Sequence, residues 1–115
     1  MIEARYTTTR RQDVISEICN HYGFDAQAQI AVEECAELIK AICKRQRKFA
    51  GSKRAEYQDS PERSAIIEEL ADVQIMVWQL QYFLGAIGEI EKEIDRKLAR
   101  KMKRIEEERA ANGRK

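Results

Sequence analysis

Proline occurs once in this 115-residue chain, glycine five times, histidine once and tryptophan once. So few turn-formers exclude a many-stranded sheet, which would need a reversal every 8–12 residues or so. With a single histidine and no CxxC pair among Cys19, Cys35 and Cys43, a zinc site is not expected. The three thiols read as reduced cysteines on helix faces, and His21, just before Gly23, reads as a helix C-terminal cap. The 21 basic and 20 acidic residues leave a net charge of +1, so no global field draws the chain to nucleic acid or to an acidic membrane. No stretch approaches the 18 apolar residues of a membrane span, and Met1 to Arg11 lacks the apolar run of a signal peptide. The expected location is cytoplasmic, with neither membrane nor nucleic acid as partner.

What the chain does have is 43% apolar and 36% charged residues, the mix of long helices with one wet face. The spacing predicts an all-α, four-helix, bundle-like fold in a single domain over 1–115, with a core of about 12–108 and a frayed tail at 109–115. The first helix runs from about Gln12 to His21, with Val14, Ile15 and Ile18 on one side. Asp25 is the expected N-cap of the second, which continues to about Lys48. Gly51 to Asp59 reads as a loop, either a lid or an insertion. Ser60-Pro61 then supplies a cap followed by proline at the first helical position of the third helix, ending near Leu84. Gly85 and Gly88 bracket a turn before the fourth helix, which ends near Glu108. A chain this short buries about two-thirds of its unfolded surface, so completion by a symmetric partner is expected, as a homodimer or homotetramer.

One internal echo carries chemistry. The second helix contains Glu33-Glu34-x-x-Glu37 and the third Glu68-Glu69-x-x-Asp72. At about 100° per residue, Glu37 lies near −60° from Glu34 and Glu33 near −100°. Asp72 and Glu68 stand at the same offsets from Glu69. Glu34 falls within the apolar arc of its helix, between Ile30 and Leu38, and Glu69 between Ala65 and Val73. The fourth helix is a control. There Glu93 has Arg96 and Lys97, and Glu89 has Lys92, the usual pairing of a solvated face. Glu34 and Glu69 lack such neighbours, and only Lys40, three residues after Glu37, is a basic partner within the helix. Unpaired carboxylates crowded out of water are costly unless something neutralises them. An all-oxygen ligand set suits Mg²⁺, or Mn²⁺ in its place, and Mg²⁺ held by carboxylates commonly takes further ligands from substrate phosphates.

These two motifs resemble the all-α nucleoside triphosphate pyrophosphohydrolases of the MazG type, over roughly residues 25 to 105. The resemblance implies a Mg²⁺-dependent enzyme that splits a nucleoside triphosphate into a monophosphate and pyrophosphate. It implies Glu34, Glu37, Glu69 and Asp72 as metal ligands, with Glu33 or Glu68 helping to position the attacking water. A basic element of that family is similar to Lys97 and Arg100 on the fourth helix. Lys97, Lys101 and Arg104 also edge the apolar stripe Ile90, Ile94, Leu98, Met102 and Ile105, so phosphate contact is expected from Lys97, Arg100 and Lys101. Arg100 lies further from the stripe than Lys97. Trp78 and Tyr82, beyond the acidic motif, are candidates to stack on a base, or else belong to a core or interface. The basic stretch Lys44, Arg45, Arg47, Lys48, Lys53 and Arg54 serves either the triphosphate or the helix dipole. A phosphoribosyl-ATP pyrophosphohydrolase and a dUTP-specific enzyme resemble the same pattern. A non-catalytic helical interaction protein is the alternative of another class, and it requires Glu34 and Glu69 to be salt-bridged to basic residues.

Overall fold

The computed structural model describes residues 8–51 and 60–113, and within them every regular element is an α-helix. They are α1 (Thr8–Tyr22), α2 (Phe24–Phe49), α3 (Pro61–Leu84) and α4 (Ile87–Gly113). The all-α, four-helix expectation therefore holds for the described residues. None of these helices is long and apolar enough to cross a membrane. The expected loop falls almost wholly at 52–59, outside the described residues. The chain divides into two compact units, Met1–Phe83, which contains α1, α2 and all of α3 but its last residue, and Leu84–Lys115, which contains α4.

The passage from α1 to α2 is a single residue. Gly23 takes φ 87°, in the left-handed region that a side chain disfavours. Its N–H donates to the Cys19 carbonyl at 2.9 Å, and its own carbonyl accepts from Gln27 N–H at 3.2 Å. Gly23 is thus the N-cap of α2, and Asp25, expected there, instead lies in the first helical turn. A positive φ reverses the chain so tightly that no room remains for a separate cap. Asp25 still places negative charge at the positive end of the helix, as Arg47 and Lys48 place positive charge at the other. At α3 the expectation holds: Ser60 Oγ accepts the Arg63 N–H at 3.1 Å, and Pro61 opens the helix. Gly85, at φ 61°, follows the last residue of α3. Gly88 does not bracket the turn but lies inside α4, which extends to Gly113, past the boundary expected near Glu108.

Two links hold α2 and α3 antiparallel. Near one end Gln27 Nε2 donates to Gln79 Oε1 at 2.7 Å. At the other Lys48 Nζ meets Glu62 at 2.7 Å, a carboxylate only 7% exposed whose second oxygen is buried without a hydrogen-bond partner. The Lys48 ammonium, as bond donor and as charge, holds the Glu62 carboxyl below its ordinary range against the opposing effect of burial. Among the described residues the buried apolar side chains are Ile15 and Cys19 of α1, Ala31 of α2 and Met76 of α3. Asn20 and Tyr82 tie α1 to α3 at its edge, Tyr82 donating its hydroxyl at 3.1 Å. Phe24 and Phe83 meet edge to face, ring centroids 5.4 Å apart. Large apolar side chains remain outside this core: Val32 is 64% exposed, Ile39 62% and Leu70 51%.

Candidate functional site

The middle of the α2–α3 pair carries the acidic motifs. Helical spacing puts Glu34 on the α2 face turned to α3, and Glu69 and Asp72 one turn apart on the answering face. Glu34, Glu69 and Asp72 each offer a carboxylate oxygen, and the three oxygens lie within 4.8 Å of one another. All three residues are half-buried.

The electrostatics are those of crowded like charges. Partial withdrawal from water is the largest effect raising the Glu34 carboxyl above its ordinary range. The charge of Asp72, a carboxyl hydrogen bond with it, and the charges of Glu69 and Glu37 add to this. Glu69 is raised as well, first by desolvation and then by Asp72, Glu37 and Glu68, with Lys40 opposing. Among the described residues neither Glu34 nor Glu69 has an ion-pair partner; the pairs formed are Lys40–Glu37, Lys48–Glu62 and Arg96–Glu93. The salt-bridged arrangement required of a purely structural pair of glutamates is not formed with those residues.

The other candidates occupy different positions. Glu37 sits at the rim, 53% exposed, with Lys40 Nζ 3.9 Å away; its charge reaches Glu34 and Glu69 but its oxygens stay outside the close trio. Glu33 and Glu68 are exposed. Trp78 has the Arg11 guanidinium 6.0 Å from its ring centroid, and Tyr82 is engaged with Asn20. On α4, Lys97, Arg100, Lys101 and Arg104 line one recess, so Arg100 belongs with the others despite its greater angular distance from the stripe. Cys35 and Cys43 are exposed thiols, while burial pushes the Cys19 thiol up.

Two residues escaped the sequence reading. Gln27 is 4% exposed and Gln79 2%, and both are hydrogen-bonded in the interior. A signal was present: Gln27 stands seven residues before Glu34, and Gln79 seven after Asp72. Seven residues are almost two full turns, so each amide shares its carboxylate's face to within about 20°. A glutamine carries no charge to make its place in an apolar arc conspicuous.

Three carboxylate oxygens without sulfur or nitrogen form a hard donor set. Oxygens bound to one Mg²⁺ at about 2.0–2.1 Å lie at most about 4.2 Å apart, so small side-chain rotations gather the trio around a single ion. Comparison of the chain with protein-family models, curated proteins and solved structures finds no match.

Proposed function

We propose that this chain is a Mg²⁺-dependent nucleoside triphosphate pyrophosphohydrolase of the MazG type, acting as a homodimer or homotetramer. The observation that carries the reading is the convergence of Glu34, Glu69 and Asp72 from two helices, with the carboxyls of Glu34 and Glu69 pushed up. Such an arrangement is unfavourable alone and favourable around a cation.

In this reading Glu34, Glu69 and Asp72 hold the ion, and Glu37 joins from the rim by rotating away from Lys40. When bound, Mg²⁺ neutralises triphosphate charge and polarises the phosphorus under attack. Glu33 or Glu68, exposed beside the trio, orients the attacking water and accepts its proton. Water adds to the α-phosphorus, the bond to the bridging oxygen breaks, and pyrophosphate leaves. The family resemblance implies Lys97, Arg100 and Lys101, which line one recess on α4, as cationic donors to phosphate. Trp78, whose ring faces the Arg11 guanidinium, and Tyr82, whose hydroxyl is bonded to Asn20, are the candidates to stack on a base. The exposed apolar residues Val32, Ile39 and Leu70 support assembly into an oligomer. Phosphoribosyl-ATP and dUTP are alternative substrates for the same carboxylates.

The experiment is pyrophosphate release from a panel of NTPs and dNTPs, with Mg²⁺ and with excess chelator, for the wild type and for Glu69→Gln. The expected result is metal-dependent release with a monophosphate product, abolished in the variant. Near wild-type turnover by Glu69→Gln removes the metal assignment. No release from the panel or from phosphoribosyl-ATP moves the interaction-protein reading to the front.

A further inference from the structure

The interior of the α2–α3 pair holds a polar feature that the carboxylate chemistry does not use. Gln27 and Gln79 are almost wholly buried, and one hydrogen bond of 2.7 Å joins them. Their remaining polar atoms are poorly served. Gln27 Oε1 is buried with no hydrogen-bond partner. Gln79 Nε2 donates only to the Met76 thioether, at 3.5 Å, and sulfur of this kind is a weak acceptor. A pair of amides kept for structure alone would be expected to satisfy both groups, since a buried acceptor without a donor keeps the full cost of its lost hydration.

Their position gives the two idle atoms a use. Seven residues from Gln27 to Glu34, and seven from Asp72 to Gln79, set the amide pair about 10.5 Å along the helices from the carboxylates, on the same faces. That is the reach of a ribose and a base from a phosphate held at the trio. The layer between contains Met76 and Ala31, both buried. Alanine is small, and methionine is unbranched and repacks readily.

We propose that Gln27 and Gln79 are specificity-determining residues that read the edge of the substrate's nucleobase, a proposal that rests on the pyrophosphohydrolase reading. Gln27 Oε1 accepts from a ring or exocyclic N–H, and Gln79 Nε2 donates to the neighbouring ring nitrogen or carbonyl. The ligand is thus a base edge with a donor beside an acceptor. Met76 swings aside as the base enters, and the base acceptor takes the place that its sulfur now holds against Gln79. A site whose buried polar groups are satisfied by one base and left unpaired by another discriminates strongly.

The test is kcat/KM for pyrophosphate release from ATP, GTP, CTP and UTP and their deoxy forms, by the wild type and by the double variant Gln27→Met/Gln79→Met. Replacing both partners of a buried hydrogen bond by apolar chains of similar shape is the change the fold tolerates best. The single variant Gln79→Glu, which turns a donor into an acceptor, accompanies it. The wild type is expected to prefer one base. The double variant is expected to lose at least tenfold of that preference, while the release that remains stays Mg²⁺-dependent. Gln79→Glu is expected to change which base is preferred. A purely structural role would lower all rates or the melting temperature together and leave the ratio between bases unmoved, and that result overturns the proposal. Release by the wild type without any base preference overturns it too, while leaving the proposed activity standing. No release at all overturns both.

Discussion

Replacing Glu34 by glutamine reverses the usual effect of removing a charge from a metal-binding face. In wild-type protein without divalent ions, Glu34 stands within 4.8 Å of Glu69 and Asp72, and no ion pair with a described residue relieves it. Glutamine keeps the volume and removes one of the three charges, so the chelated variant is expected to melt above the chelated wild type. Adding Mg²⁺ closes that gap and then reverses it. An ion present at 100 times its dissociation constant stabilises the folded state by about 2.7 kcal/mol. At roughly 4 °C per kcal/mol for a chain of this size, the wild-type melting temperature rises by about 10 °C. With one ligand charge lost, the variant shows a small fraction of that rise. Glu93→Gln is the control, because Glu93 lies on α4 paired with Arg96 at 2.8 Å and should leave the Mg²⁺ response untouched. The assay is thermal unfolding followed by circular dichroism, with Mg²⁺ titrated against chelator. A Glu34→Gln protein that melts lower than wild type in chelator, yet gains the same shift from Mg²⁺, rules out crowding and metal ligation at Glu34. Glu34 would then be a residue held by a partner and not a ligand.

Acid should unlock the far end of the α2–α3 pair. Because Lys48 holds Glu62 below the ordinary value of 4.5, the pair contributes its full stability above that value and loses it as pH falls through the lower folded-state value. Melting temperature against pH should therefore fall less steeply on the acid side for Glu62→Gln than for wild type; parallel curves would remove the pair from the account. Gly23→Ala forces a side chain into a left-handed conformation and is expected to cost about 1–2 kcal/mol in urea unfolding, where an unchanged midpoint would contradict the turn. Lys97→Ala is expected to raise KM for a triphosphate more than it lowers kcat, and identical constants would return Lys97 to the solvated face.

Why part of this was legible beforehand follows from the range of the forces involved. Helix formation is local. Scarce proline and glycine, apolar residues at helical spacing and the Ser60-Pro61 start were enough to predict four helices and most of their ends. The Glu34 and Glu69 positions were legible for the same reason, because a carboxylate inside an apolar arc betrays itself on one helix at a time. Even locally the α2 start was misjudged, since the positive φ at Gly23 replaced the side-chain cap expected of Asp25.

Contacts between helices depend on register and separation, which no single helix encodes. Only the tertiary structure separated Glu37, turned outward to Lys40, from the close trio, although its angular offset from Glu34 equals that of Asp72 from Glu69. It alone joined Lys48 to Glu62 across the chain and Gln27 to Gln79 in the interior. A neutral amide or a salt bridge between distant positions leaves no periodic trace. The sequence by itself determined which residues form helices and which carboxylates face inward, because backbone hydrogen bonding and amphipathic spacing act within a few residues. Which of those carboxylates meet, and which amides are left with idle hydrogen-bonding atoms behind them, was decided by how two antiparallel helices align.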